Sequence, residues 1–441
     1  MLASLHQKRP YLFYQLAFAL SLILRFEQPF LQSPFDGLLS DMRTHWNSGL
    51  ALLHPDTITG ALPKLYAVWI FLINQLSFGH SWVVQLMVGL LSVGGALCWY
   101  RACREVLPVR FAYGTAIVIA LHPSLSLIFR YFMTESLLFA VMGLAFWLTF
   151  RARRKKDIPS FAWAVFAWML ALLTKQTVLP MALLSLFYLF VYQPRRLTAA
   201  GVMTAILLAG FIPAALHSYK GTGVASPLRS GYSGKVYRLC NTQSYGYGTS
   251  RGETLFSSNA MYINPFDPFF SYKTYREPGK CVVPYNPQTK QPDWERGLAG
   301  LKAAYTTKRL MQDTMENFIY LFFAPSWPEG QYVPQSPASV FAYHLRWLWP
   351  PMFLMLLICG PFVRVKETQA FLLTVTLMML AGLIFQQQVV MEGRYRKPIE
   401  PLVLLSVAVL AHWFGQKKIP KTGETVFTWS RNTVKKAFHA V

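Results

Sequence analysis

The sequence predicts an all-α polytopic membrane protein, a bundle of about 10–12 transmembrane helices with interfacial helices in its first outer loop and one large outer loop. Three observations carry that expectation. Charged residues make up 14% of the 441 and hydrophobic ones 54%, whereas soluble domains average about 25% charged. The mean hydropathy is +0.31. The apolar residues come in blocks that approach ~20 residues, the length at which a helix rising 1.5 Å per residue crosses a ~30 Å hydrocarbon core.

The blocks place spans at 11–28, 82–99, 111–129, 131–150, 160–176, 178–193, 198–216, 343–361, 368–387 and 399–414. The opening MLASLHQKRP runs into the first block without a cleavage signal, so that block is expected to be an uncleaved span. Alternating the spans collects Lys8 and Arg9, Arg101, Arg104 and Arg110, the run 151–156, Arg195 and Arg196, Arg364 and Lys366, and the basic tail on one side. The positive-inside rule makes that side cytoplasmic and brings both termini there, in an inner (plasma) membrane. Residues 64–78 are apolar but short, and counting them as a span would break the charge pattern. They are expected to form an interfacial helix at the outer surface, with Tyr66 and Trp69 at headgroup level.

The chain then divides into an N-terminal transmembrane module, 1–216, whose first outer loop is 29–81; an outer loop region, 217–342, with one helical stretch at 297–323; and a C-terminal part, 343–441, of spans and a basic tail. The net charge of +23 is accounted for by membrane topology, and no soluble basic helix with interleaved aromatics suggests nucleic acid. Five cysteines form no CxxC. Cys240 and Cys281 share the large loop, either as a disulfide or as two separate thiols. No resident metal or other cofactor is expected. His45 and His122 have no second ligand at metal spacing and read as structural. The 33 Phe, 22 Tyr and 13 Trp are expected mostly on the lipid-facing surface and in interface belts.

Ionisable groups at membrane depth are costly and mark function. The topology gathers several at the outer ends of spans: Asp41 in SDMRTHWNSGLALL, Lys64 in LPKLYAVW, Arg130 and Glu135 in FRYFMTESLLF, and Lys175 in LLTKQTVLP. Glu392, Arg394, Arg396, Lys397 and Glu400 in MEGRYRKPIEPL join them.

In this order the motifs resemble those of the GT-C glycosyltransferases, specifically the protein O-mannosyltransferases and aminoarabinose–lipid A transferases. The shared pattern is an acid early in the first outer loop, an LPxLY-type stretch, TES at the start of a span, and RYxxPxxP before the last span. The resemblance implies a GT-C-like bundle and transfer of one sugar, with inversion, from a polyprenyl-phosphate carrier to a lipid, glycan or protein acceptor on the periplasmic side. Such chemistry needs a carboxylate to take the acceptor's proton and cations aimed at the departing phosphate. It needs no second acid, because phosphate already leaves well, in contrast to glycoside hydrolysis.

Asp41 is the expected base, with helix N-cap as the competing reading; Asp36, in a Pro-Phe-Asp-Gly turn, is the fallback or a turn stabiliser. Arg394 and Arg396 are the expected phosphate ligands or outer-leaflet anchors. Lys64 is a third ligand or a snorkelling lysine. Glu135 either complements a helix dipole or binds substrate with Arg130. Lys175 reads as an anchor first and as Glu135's partner second. Two other functions fit a polytopic chain. An O-antigen polymerase or ligase would lean on Arg and His in the late loop, and a secondary transporter would show internal repeats and mid-membrane polar groups.

Overall fold

The computed structural model describes residues 11–36, 41–53, 64–222, 225–228, 285–286, 291–292, 345–385 and 396–416. The large loop, apart from a two-residue antiparallel pair (β1, Tyr285–Asn286, with β2, Gln291–Pro292), therefore lies almost entirely outside the described residues. So do the stretch 297–323, Cys240, Cys281, Glu392 and Arg394.

The helices are α1 (Leu12–Phe26), α2 (Gln28–Leu31), α3 (Asp41–Leu50), α4 (Lys64–Ser77), α5 (Ser81–Val106), α6 (Val109–Leu121), α7 (Pro123–Ser126), α8 (Thr134–Lys155), α9 (Ile158–Thr174), α10 (Leu179–Val191), α11 (Arg196–Thr222), α12 (Trp349–Cys359), α13 (Glu367–Phe385) and α14 (Glu400–Gln416). Every block read as a span contains a helix, and the chain is an all-α polytopic membrane protein. By length and composition, α5, α8, α11 and α13 can each cross a membrane. The helices α9, α10 and α12 are apolar but shorter.

One expected span is broken. Residues 111–129 do not form a single helix: α6 ends at Leu121, and the chain resumes after a 66° bend. Pro123 is the cause, because it lacks an N–H and its ring forbids the preceding turn. It also holds His122 out of the helical region, at φ −58°, ψ 117°. The freed carbonyls are met by Arg25, a fully buried side chain at the end of α1. Its guanidinium donates to Ala120 O at 3.0 Å, Leu125 O at 2.9 Å and Ser92 O at 3.2 Å. It also lies 4.2 Å from the Phe139 ring centroid and 4.9 Å from that of Phe129. In a bilayer a broken helix persists only where other groups satisfy its backbone, and Arg25 does so here.

The best-packed faces join α5 to α8 and α8 to α9. Small residues let the first pair approach: a Cβ on Gly95 would stand 2.9 Å from Ala140 Cα, and one on Gly143 2.9 Å from the Trp99 ring. Close backbone approach through small residues is how membrane helices gain packing energy without a hydrophobic driving force. Buried indoles find acceptors, Trp99 Nε1 on Phe139 O and Trp168 Nε1 on Thr149 Oγ1, both at 2.9 Å. Other rings are exposed, as expected of a lipid-facing surface, among them Phe13, Trp82, Trp163 and Phe187, while a second set packs inside. Trp99, Trp168, Trp349, Phe129, Phe132, Phe146, Phe150 and Phe161 are all fully buried, because helices packed this closely leave flat gaps that rings fill.

The stretch 64–78 forms the 14-residue helix α4, about 21 Å long at 1.5 Å per residue and too short to span. It packs on α3, α5 and α9. Tyr66, expected at the headgroups, is instead 1% exposed and faces the bundle beside Ala67, Ile70 and Ile73.

Candidate active site

Two buried charge clusters lie at one end of the bundle, where α6 and α9 end and α8 and α14 begin. Arg25 sets their common level. It binds the carbonyls at the α6 break and stacks on Phe139, which lies one turn beyond Glu135 in α8.

The first cluster is centred on Glu135, 4% exposed, in the first turn of α8. Lys175 Nζ donates to its Oε1 at 2.6 Å, and Thr134 Oγ1 donates to its Oε2 at 2.9 Å. Lys175 leaves α9 in extended backbone, φ −158°, ψ 117°, which carries its side chain across to α8. The preference for a snorkelled anchor is thus corrected: a lysine whose side chain is 16% exposed and paired at 2.6 Å to a buried acid is a counter-ion. Tyr66 of α4 lies against Glu135 and Ser136, and its ring meets the His45 ring of α3 at 5.3 Å.

Residue 41 stands one turn before His45, at i, i+4 on the same helix. Asp41 is the first residue of α3, consistent with a helix-start role within the usual ±1 of a boundary; its side chain lies outside the described residues. Aromatic packing fixes α3 in place. Trp46 lies 4.9 Å from Phe35 and 4.8 Å from Phe132. Asp36 is exposed, and its Oδ2 accepts from Ser33 N at 3.0 Å, the turn-stabilising arrangement. Arg130, 8% exposed, donates from Nε to Gln28 Oε1 at 3.1 Å.

The second cluster joins α14 to the α6 break. Glu400 accepts from Arg396 Nε at 2.8 Å and from Ser124 Oγ at 2.6 Å. The Ser124 hydroxyl therefore donates to Glu400, and the nearby His122 Nδ1, 2.8 Å away, must carry the proton to complete the chain; that tautomer is assigned from the network. Lys397 Nζ donates to Ser124 O at 2.6 Å. Trp349, at the start of α12, covers the group, 5.5 Å from the Arg396 guanidinium and 5.2 Å from the His122 ring. Arg396, Lys397 and Glu400 are at most 3% exposed.

Lys64 begins α4, and its Nζ lies 3.2 Å from His217 Nδ1, whose Nε2 lies 3.2 Å from Leu52 O. With ammonium as donor, Nδ1 accepts and Nε2–H donates, which ties the turn after α3, the start of α4 and the end of α11 together. Partial burial lowers the Lys64 ammonium's pKa from its ordinary value.

The structure thus brings Glu135 and Lys175 together, and Arg396 with Lys397 and Glu400. It leaves Asp36 in its own turn and Arg130 on Gln28. Sequence reading set His122 aside as a lone histidine and had no reason to single out Ser124, Gln28, Arg25 or His217. Only the His-Pro pair at 122–123, a recognisable helix breaker, marked where the second cluster would form.

Fold and site together define a polytopic membrane protein that holds acid–base pairs in protein-lined burial at one end. Residues 63–219, a little over a third of the chain, match the family model described as dolichyl-phosphate-mannose-protein mannosyltransferase. The match supports a GT-C superfamily glycosyltransferase, a membrane enzyme that uses a lipid-linked sugar donor. Lys64, Arg130, Glu135 and Lys175 fall inside the matched segment; Asp36, Asp41, Arg394 and Arg396 fall outside it. No curated protein sequence matches the chain.

Proposed function

We infer that this glycosyltransferase moves a single sugar from a polyprenyl-phosphate carrier to a hydroxyl of a lipid, glycan or protein acceptor, at the bundle end that carries Glu135. The observation that supports the reading most is the gathering of buried, paired ions at that one end, since charge at membrane depth is retained for function. The acceptor oxygen attacks the anomeric carbon while Asp41 takes its proton. The bond from that carbon to the phosphate oxygen breaks, its electron pair stays on the phosphate, and the single displacement inverts the configuration. Lys64 and Arg394 meet the charge that develops on the carrier phosphate. Arg396, paired with Glu400 at 2.8 Å, holds the start of α14 at this end. Glu135, held by Lys175 and set beside Tyr66, binds the sugar or orients α3, and Arg130 steadies the wall between α2 and the α7 turn. Residues 217–342 read the acceptor.

The reacting end is placed on the extracytoplasmic side, with both termini in the cytoplasm, because that orientation puts the short basic connections inside. Purified protein with polyprenyl-phosphate-linked sugars, followed by mass spectrometry of membrane lipids and envelope glycans from cells with and without the chain, names the product. Asp41→Asn should reduce transfer by about 10²–10⁴-fold, the usual range for a lost general base, with expression unchanged. Full activity in that variant removes Asp41 from the chemistry.

A further inference from the structure

At the opposite end of the bundle, α5, α8 and α13 enclose a cleft of about 300 Å³. Glu135 and Arg153 lie eighteen residues apart on α8, about 27 Å at 1.5 Å per residue, so the cleft is remote from the site above. Its lining includes Glu105, Arg153, Arg154, Lys156 and Glu367. Both acids are already engaged, Glu367 by Arg153 at 2.6 Å and Glu105 by Arg154 at 3.0 Å. Lys156 forms no ion pair among the described residues. Arg101, Arg104 and Arg151 stand close enough to act on Glu105 as well. Positive charge therefore exceeds negative around a concave space, and the Arg154 side chain that lines it is 66% exposed.

The surroundings mark the depth of this cleft. Arg101 and Arg151 lie 6.0 and 5.8 Å from the Trp147 ring, and Arg153 lies 3.9 Å from that of Tyr192. Trp and Tyr with cations beside them occupy the headgroup layer of a bilayer. On the helix that carries Tyr188 and leads into Tyr192, Leu183, Phe187 and Val191 recur every fourth residue and are exposed, an apolar stripe suited to acyl chains. Lys156, which lines the cleft just past the end of α8, is held at φ 56°, a left-handed conformation uncommon for a non-glycine residue.

We propose that this cleft binds the phosphate headgroup of an anionic phospholipid from the leaflet covering this end of the bundle. The cations meet the phosphodiester, and the acyl chains lie along the α10 stripe. The positive-inside rule alone predicts only a diffuse attraction, indifferent to which cation is removed; a built site is saturable and depends on Arg154 and Lys156.

Native mass spectrometry of the purified full chain, titrated with phosphatidylglycerol or with phosphatidylcholine, separates the two. Wild type should retain phosphatidylglycerol saturably and in preference to phosphatidylcholine. Arg154→Gln and Lys156→Asn should each weaken retention about fivefold, the usual effect of one cation at a membrane surface. Asn is chosen because it tolerates the left-handed backbone. Glu105→Gln, which releases Arg154 from its partner, should strengthen retention, so the proposal stays testable even if a cation variant folds poorly. Equal retention of the two lipids, equal retention by wild type and all variants, or displacement of the lipid by inorganic phosphate at the lipid's own concentration would overturn it.

Discussion

The two ends of the bundle use the same ions in opposite ways. At the Glu135 end, Arg396 and Glu400 pair with side chains 1% and 0% exposed, and Lys175 with Glu135 at 16% and 4%. At the other end, Arg153 meets Glu367 at 15% and 47%, and Arg154 meets Glu105 at 66% and 11%. The distances are alike, 2.6–3.0 Å. The dielectric is not, and at equal separation it decides whether a pair is worth several kcal/mol or almost nothing. Buried pairs are often no better for stability than apolar residues of the same volume. Their presence at one end therefore calls for a functional reason, whereas the exposed pairs cost little to keep.

The largest effect should come from Glu400→Gln. It removes the carboxylate that Arg396 holds at 2.8 Å and that Lys397 acts on electrostatically, and removing one member of a buried pair typically costs about 3–5 kcal/mol. Thermal unfolding of the detergent-solubilised protein should show a fall of that size, together with loss of transfer. A fall below ~1 kcal/mol would mean that water reaches the cluster and that the two ends do not differ. Next is Lys175→Met, which takes from the nearly buried Glu135 the ammonium that donates to it at 2.6 Å. Stability should drop by about 2 kcal/mol, the cost of an under-satisfied buried charge. Adding Glu135→Gln to Lys175→Met should recover part of the loss, since residues in direct contact couple by about 0.5–3 kcal/mol. Simple additivity in that double-mutant cycle would remove the pair from the comparison.

The class of fold was legible because it depends on composition and on the length of apolar blocks, and both are local. So was the existence of α4 as a helix too short to span. The broken span was not read from the apolar block 111–129, which looks continuous by hydropathy, although Pro123 carried the information. The buried clusters were less legible still. Lys175 and Glu135 are 40 residues apart, and Ser124 and Glu400 are 276; no periodicity links them. A lysine at a span end has the same local signature whether it snorkels to water or reaches inward, and only the partner's position decides. Tyr66 was misjudged for a related reason: amphipathicity says that one face of α4 is buried, but not that the neighbouring elements would cover the side carrying this ring.

The smallest effect sharpens the contrast most, because it uses the same chemical change as the largest. Glu367→Gln breaks the Arg153 pair and weakens the bond from the Tyr188 hydroxyl, which reaches Glu367 Oε1 at 3.1 Å. With Glu367 47% exposed, water replaces what is lost, and exposed pairs of this kind contribute about 0.2–1 kcal/mol. The loss should shrink further in 1 M salt, where the screening length falls to ~3 Å, while the Glu400→Gln penalty should be unchanged because ions do not enter that cluster. Measuring both variants at low and high salt therefore tests the dielectric difference itself. If Glu367→Gln is as costly as Glu400→Gln and equally insensitive to salt, the cleft end is as dry as the other, and its ions need the same functional explanation.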